Sequence, residues 1–316
     1  MDHTFVDAAV EAAAASYPAA AALVREVRLA GPLVAGPLDW LLRERAEAFW
    51  KTAEQVAGLS RSLGGTPVES LAEYTVMYLK EQLRFEKTGE YSNDDFDTVR
   101  GQVYDNPDVM RRFYLEGLML THAFWPIHLD IHSLFTRAFV PRVANGGVGI
   151  EVGFGHGLYL VEVLRERADT RTVSFDISPY SVEYAGRVLT ASGISPQRFE
   201  LGLADVRQPL PPADGSQSWA VFAEVLEHIP NPAEALAELA RVLRPGAPLF
   251  ATTVLFSNAI DHITQFESAE QVQGLLHAAG FDIATEQSFA VRDYVAGSKD
   301  RTVDLAYVAV RRGEVR

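Results

Sequence analysis

The chain has 316 residues, 48% of them hydrophobic and 22% charged, a globular composition long enough to bury a core as one large domain or two unequal ones. Cysteine is absent, which excludes disulfides, thiolate metal sites and cysteine nucleophiles. With 28 basic against 42 acidic residues the net charge is −14, a field that repels a phosphate backbone, so no nucleic-acid partner is expected.

In chain order, Met1-Asp2-His3 offers no basic leader, and the Ala-rich stretch behind it is interrupted by Asp7, Glu11 and Pro18, so no signal peptide is expected. No apolar run reaches the roughly 20 residues of a membrane-spanning helix. A cytoplasmic protein without a membrane partner is the expectation. Lysine stands only at Lys51, Lys80, Lys87 and Lys299 while arginine is abundant, a bias read as base composition rather than a demand for guanidinium groups. Residues 1–144 carry helical periodicity, as at Leu38, Leu41, Leu42, Ala46, Phe49 and Trp50, with breaks at Pro18, Gly31 to Pro37, Gly64 to Pro67 and Thr88 to Asp97. They predict an all-helical region.

From Gly146-Gly147 the texture becomes short β-branched or apolar runs alternating with amphipathic stretches, the pattern of an α/β domain over residues 145–316. Strands are predicted near 148–152, 172–176, 199–203, 219–224 and 248–254, and helices near 157–168, 179–192, 232–243 and 268–279. Two last strands, 281–290 and 303–311, have no predicted helix between them, and parallel neighbours need a long crossover. A terminal antiparallel hairpin follows.

The segment Val148-Gly149-Ile150-Glu151-Val152-Gly153-Phe154-Gly155-His156-Gly157 runs an apolar strand into alternate glycines and then a helix, so a ligand can approach bare backbone. A dinucleotide fingerprint wants its last small residue after a two-residue gap, where Leu158 stands here. Nicotinamide cofactors are therefore disfavoured. Asp176 ends the next strand, 25 residues after Glu151, where a carboxylate can accept from a ribose diol; the other reading is a helix N-cap, which Ser178 can supply itself, leaving Asp176 free. Asp205 follows the third strand and can accept from an adenine amine or stay solvated.

The ordered set Glu151 to Gly157, Asp176, Asp205, Glu224-Val225-Leu226-Glu227-His228 and Leu243-Arg244-Pro245-Gly246 resembles the motifs of class I S-adenosylmethionine-dependent methyltransferases across residues 145–311. That resemblance implies a Rossmann-like seven-stranded sheet with an antiparallel last strand, and S-adenosylmethionine as cofactor. It implies that Glu151, Gly153, Gly155 and Gly157 face the methionine moiety, Asp176 the ribose, Ile177 an adenine face and Asp205 the adenine amine, with Ala204 and Glu224 also against the cofactor.

Methyl transfer from a sulfonium is an in-line displacement, and a base is needed only where the acceptor carries a proton. His228, His262 and Glu224 are the candidate catalytic residues on the carboxyl edge of the sheet, beside Glu227 and Asp261. His228 reads equally as a base or as part of a packed turn. Glu224, Glu227, His228 and His262 together resemble the divalent-metal group of the O-methyltransferases of ubiquinone biosynthesis and small-RNA 3′-end methylation; a metal-free loop is the alternative. His128 and His132, at i,i+4 spacing, read as packing before ligands.

The helical half is expected to cap the acceptor site. Tyr104 to Phe113 resembles the linker helix of dimeric O-methyltransferases of secondary metabolism, without the winged-helix pattern upstream, which leaves a homodimer open. The expected activity is methyl transfer to a small-molecule acceptor, first a hydroxyl, in secondary metabolism or cofactor biosynthesis. Carbon or nitrogen acceptors, an RNA methyltransferase and a non-catalytic interaction module are the alternatives. An RNA enzyme would want a basic stripe, and a non-catalytic module would have lost the glycines or Asp176.

Overall fold

A computed structural model describes residues 3–295, 298 and 300–313. The first half folds as α1 (His3–Ala13), α2 (Pro18–Leu29), α3 (Pro32–Ala35), α4 (Leu38–Glu44), α5 (Ala46–Leu63), α6 (Pro67–Thr88), α7 (Phe96–Val99), α8 (Pro107–Val109), α9 (Leu115–Phe124) and α10 (Pro126–Leu134). Proline opens α2, α3, α6, α8 and α10, because its fixed φ suits the first helical turn and its missing N–H is not needed there. Three π-helical turns follow α7, α8 and α10, at Arg100–Tyr104, Met110–Tyr114 and Phe135–Phe139. The first two widen the helix where Tyr104, Met110 and Tyr114 reach the cavity described below.

One buried carboxylate fastens three of these helices. Glu116 of α9 accepts from Ser60 Oγ at 2.5 Å, Ser70 Oγ at 2.7 Å and the Thr66 main-chain N–H at 3.0 Å. Removing it strands three donors, two of them on the buried serines. Glu116→Ala is therefore expected to cost about 3 kcal/mol of stability, read as a lower urea midpoint at unchanged slope. An unchanged midpoint would show that water replaces the carboxylate.

The second half alternates strand and helix: β1 (Val148–Glu151), α11 (Leu158–Glu166), β2 (Arg171–Asp176), α12 (Pro179–Ala191), β3 (Phe199–Leu203), β4 (Ala220–Ala223), α13 (Pro232–Val242), β5 (Pro248–Leu255), α14 (Ala269–Ala278), β6 (Phe281–Ala290), α15 (Val291–Tyr294) and β7 (Val303–Arg311). The sheet order is β3-β2-β1-β4-β5-β7-β6, parallel through β5, with β7 antiparallel to both β5 and β6. The expected seven strands and terminal hairpin are present. One detail differs, since the single turn α15 lies between β6 and β7; it is too short to carry a parallel crossover, so the hairpin stands.

Residue 144 marks the change from helix to strand, but the apolar core runs across it. Phe49, Phe124, Phe135 and Phe139 of the helical half belong to the same buried cluster as Tyr159, Leu160 and Phe250. Phe135 meets Tyr159 at 4.5 Å and Phe250 at 5.0 Å between ring centroids. The cap is thereby seated on one face of the sheet, and its aromatic residues overhang the carboxyl ends of the strands. Among the described residues, no helix is long and apolar enough to cross a membrane.

Candidate active site

A cavity of about 770 Å³ lies between the cap and the carboxyl edge of the sheet, within the size range of sites for drug-sized ligands. Glu151, Gly153, Gly155, Asp176, Ile177, Ala204, Asp205, Glu224, Glu227, His228 and His262 all line it. Gly157 does not line it and instead forms the N-cap of α11.

The glycine loop is shaped by two different demands. At Gly153, φ is 73° and a Cβ would lie 2.6 Å from Val225 Cγ2, so both backbone and space exclude a side chain. At Gly155, φ is 48°, but a Cβ would meet nothing nearer than Leu118 at 3.9 Å. A side chain there would have room and would occupy the cavity rather than clash with the wall.

Asp176 holds this loop. Its Oδ2 accepts from the Gly155 N–H at 2.9 Å and its Oδ1 from the Ser178 N–H at 2.8 Å. Ser178 Oγ does accept from the Tyr180 N–H, as expected, but that does not leave Asp176 free: each of its oxygens already serves one amide. Each retains a further lone pair, so both can still accept from a ligand. Burial raises the Asp176 pKa, although the Ser178 and Gly155 amides act against the shift. Glu151, at the end of β1, is pushed well above the ordinary carboxyl range by burial and then by Asp176, and its Oε2 has no hydrogen-bond partner.

Asp205 is gripped by a residue the sequence analysis did not single out. Arg207 Nη2 donates to Oδ2 at 2.7 Å and its Nε to both oxygens at 3.0 Å, while the guanidinium lies 3.8 Å over the Phe96 ring. The spacing Asp-x-Arg was the available signal.

Beyond the end of β4, Glu224 adopts a left-handed φ of 52°, held by its N–H to the main-chain oxygen and Oγ1 of Thr252. Such a φ is costly for glutamate and turns the chain sharply at the sheet edge. Glu227, His228 and His262 each offer one ligand atom, all within 4.8 Å of one another; Glu224 stands outside that group. His228 Nδ1 donates to the Asp261 carbonyl at 2.9 Å and His262 Nδ1 to the Ser257 carbonyl at 3.1 Å, which leaves both Nε2 lone pairs available. Glu227 Oε2 accepts from Thr253 Oγ1 at 2.7 Å, and its buried Oε1 has no partner. Burial raises the Glu227 pKa to about 7. Burial and then the Glu227 charge push Glu224 well above the ordinary range.

Asp261, accepting from Tyr104 Oη at 3.0 Å and Tyr114 Oη at 2.6 Å, ties this group to the cap. His128 and His132 do not pair as ligands. His128 Nδ1 meets Thr121 Oγ1 at 2.7 Å, and His132 Nε2 lies 3.6 Å from Glu162 Oε1.

The sequence analysis also passed over a histidine relay beneath the glycine loop. The Leu158 N–H donates to His156 Nδ1 at 3.1 Å, so His156 carries its proton on Nε2 and donates it to His122 Nε2, 3.2 Å away. Burial lowers His122 well below the usual imidazole pKa, His156 to about 3 and His128 to about 4. These values lie below those of the unfolded chain, so the unfolded state binds protons first as pH falls through 6.5. The contribution of these three histidines is expected to be level above pH 6.5 and to fall below it, by up to ~1.4 kcal/mol per pH unit for each, against an opposite slope from Glu151, Glu224 and Glu227, whose raised pKa values make the folded chain bind protons first. His156→Gln should flatten that slope in thermal melts between pH 6.5 and 4; an unaltered slope would assign it to carboxylates.

The sequence profile of a methyltransferase domain family matches residues 150–251, which span β1 into β5. A ubiquinone biosynthesis O-methyltransferase of Thiobacillus denitrificans is 30% identical over 173 residues, covering 52% of this chain and 72% of the relative. The chain belongs to the class I S-adenosylmethionine-dependent methyltransferases. A malonyl-[acyl-carrier protein] O-methyltransferase of Hahella chejuensis is 26% identical over 155 residues, 45% of this chain and 53% of that protein. The methyltransferase thus spans about half the length of some curated relatives it matches. In fold it is similar to an O-methyltransferase family protein from Burkholderia thailandensis, with a TM-score of 0.53 at 14% identity over 78% of this chain and 72% of that one. In this methyltransferase, Glu151, the glycine loop and Asp176 occupy the sheet edge at which open α/β folds bind ligands.

Proposed function

We propose that this methyltransferase acts on a hydroxyl of a small molecule held between the cap and the sheet edge. The observation that carries the reading is the Glu227, His228 and His262 group on the cavity wall, with one orphaned carboxylate oxygen and two imidazole lone pairs in reach of one another. S-adenosylmethionine supplies a methyl on a sulfonium whose leaving group is a neutral thioether. As the O–CH₃ bond forms and the S–CH₃ bond breaks, the acceptor oxygen must give up its proton, and these side chains are the available receivers.

The same three residues fit a divalent cation: an orphaned Glu227 Oε1 and two Nε2 atoms whose tautomers are set by main-chain carbonyls make a mixed oxygen and nitrogen donor set. A bound ion would lower the pKa of an acceptor hydroxyl and fix its position. Cap aromatics supply the remaining walls and exclude water. The reading is also supported by similarity to relatives named as O-methyltransferases of ubiquinone biosynthesis and of malonyl-[acyl-carrier protein].

Calorimetric titration tests both halves. S-adenosylhomocysteine is expected to bind saturably at one site per chain, and Mn²⁺ to bind the wild type at least tenfold more tightly than Glu227→Gln, with S-adenosylhomocysteine affinity equal in both. A flat Mn²⁺ titration removes the ion and leaves Glu227 and His228 to act alone. Robust methylation of an acceptor carbon or nitrogen in place of oxygen overturns the reading.

A further inference from the structure

The cavity holds more carboxyl groups than methyl transfer uses. No lysine or arginine side chain among the described residues lines it. Glu151, Asp176 and Asp205 stand at the cofactor end, and Glu227 and Asp261 belong to the histidine group. Three acids are left over: Glu224, Asp300 and Asp304.

Asp304 is the informative one. It lies in β7, a strand buried on both faces, where the other residues from Val303 to Val310 are apolar. Its own side chain is 5% exposed, lines the cavity and has no hydrogen bond or ion pair from any described residue. Strand alternation puts it on the face of Ala306 and Val308, which pack in the cluster shared with the cap. Burial, and then the Glu224 and Asp300 charges, hold its pKa well above the ordinary carboxyl range, and a cation placed against it in the cavity would restore its charge.

Its position separates that ligand from the cofactor. Asp304 pairs in register with Val254 of β5, and β5 pairs in turn with β4, which leads to Glu224. Two inter-strand spacings, about 10 Å, therefore separate Asp304 from the Glu224 end of the sheet, and the glycine loop lies one strand further still. Tyr78, Tyr159 and Tyr294 line the same cavity. Tyr294 meets Trp40 edge-on at 5.0 Å, and its hydroxyl is fixed by Asp130 at 2.9 Å; Tyr78 lies 5.0 Å from Trp125. A carboxylate among aromatic rings, without a cationic side chain on the wall, is the environment that binds an organic ammonium.

Resting on the methyl-transfer reading above, we propose that the acceptor is a cationic amine, whose ammonium group sits against Asp304 while a hydroxyl elsewhere in the same molecule lies at the histidine group. The nitrogen held by Asp304 is protonated and has no lone pair, so it is bound and not methylated. The S–CH₃ bond is exchanged for an O–CH₃ bond at the far end, and the hydroxyl proton leaves there.

Affinity selection with mass spectrometry provides the test, with the protein saturated in S-adenosylhomocysteine. The probe is a library of hydroxylated compounds in three equal sets of matched size, bearing an aliphatic amine, no charge or a carboxylate. Amines are expected to be at least fivefold over-represented among the retained compounds. Asp304→Asn, nearly isosteric, should return them to their share of the library while S-adenosylhomocysteine affinity, serving as the control for folding, holds within twofold. Absence of an amine preference in the wild type overturns the proposal, and so does a preference that survives in Asp304→Asn. A flat S-adenosylhomocysteine titration would strike the underlying methyl-transfer reading, a failure distinct from both.

Discussion

Asp176→Ala is expected to weaken S-adenosylhomocysteine binding about 100-fold or more while leaving the chain folded. Two effects combine. The carboxylate is the natural acceptor for a ribose diol, and two hydrogen bonds to a charged group contribute roughly 3 kcal/mol together, which is about two orders of magnitude in affinity. It also accepts from the N–H groups of Gly155 and Ser178, at 2.9 and 2.8 Å, and so sets the path of the loop over which the methionine moiety would lie. Asp176→Asn separates the two contributions. Its amide can keep one main-chain bond through its oxygen but presents N–H groups where acceptors are needed, so its affinity should fall close to that of the alanine variant. Calorimetry with S-adenosylhomocysteine reads both, and circular dichroism checks the fold. Wild-type affinity in Asp176→Ala would detach this acid from the cofactor altogether.

Glu227→Gln should slow methyl transfer by about 10² to 10⁴-fold with little change in cofactor affinity. The carboxylate is fully buried, its Oε2 is occupied by Thr253 Oγ1 and its Oε1 is orphaned. Glutamine reproduces the Thr253 contact through its amide oxygen, so packing is preserved. What it loses is the negative charge facing His228 Nε2, 3.7 Å from Oε1. A proton released by the acceptor then has no anionic destination, and a cation loses its charged ligand. The readout is S-adenosylhomocysteine formation with a turned-over acceptor, beside an S-adenosylhomocysteine titration. A rate within threefold of the wild type would relegate the group to structure, and equal losses of rate and cofactor affinity would mean that the turn had moved as a whole.

The fold of residues 145–316 is largely written in local sequence. Most β strands are short runs rich in apolar or β-branched residues and β6 alternates exposed with half-buried residues, and strands were expected within one or two residues of where they lie because period-two burial and glycine breaks are local signals. The missing predicted helix between the last strands implied the hairpin, and β7 does run antiparallel to both neighbours. Glu151, the glycine loop and Asp176 were legible for the same reason, since a strand end followed by a tight turn fixes its residues at the sheet edge whatever the rest of the chain does. The π-turns that bring Tyr104 and Tyr114 to Asp261 left no such trace, because they arise from packing and not from propensity.

Composition, charge, strand positions and the glycine loop were thus determined by the sequence alone, through interactions between residues close in the chain or through sums over all of it. The tertiary structure decided the rest. It set Glu227, His228 and His262 within reach of one another while leaving Glu224 outside, wired His156 to His122, and turned Asp304 into the cavity. Most of these relations join side chains distant in the chain, and the distance that fixes each one is a property of how strands, loops and cap pack together.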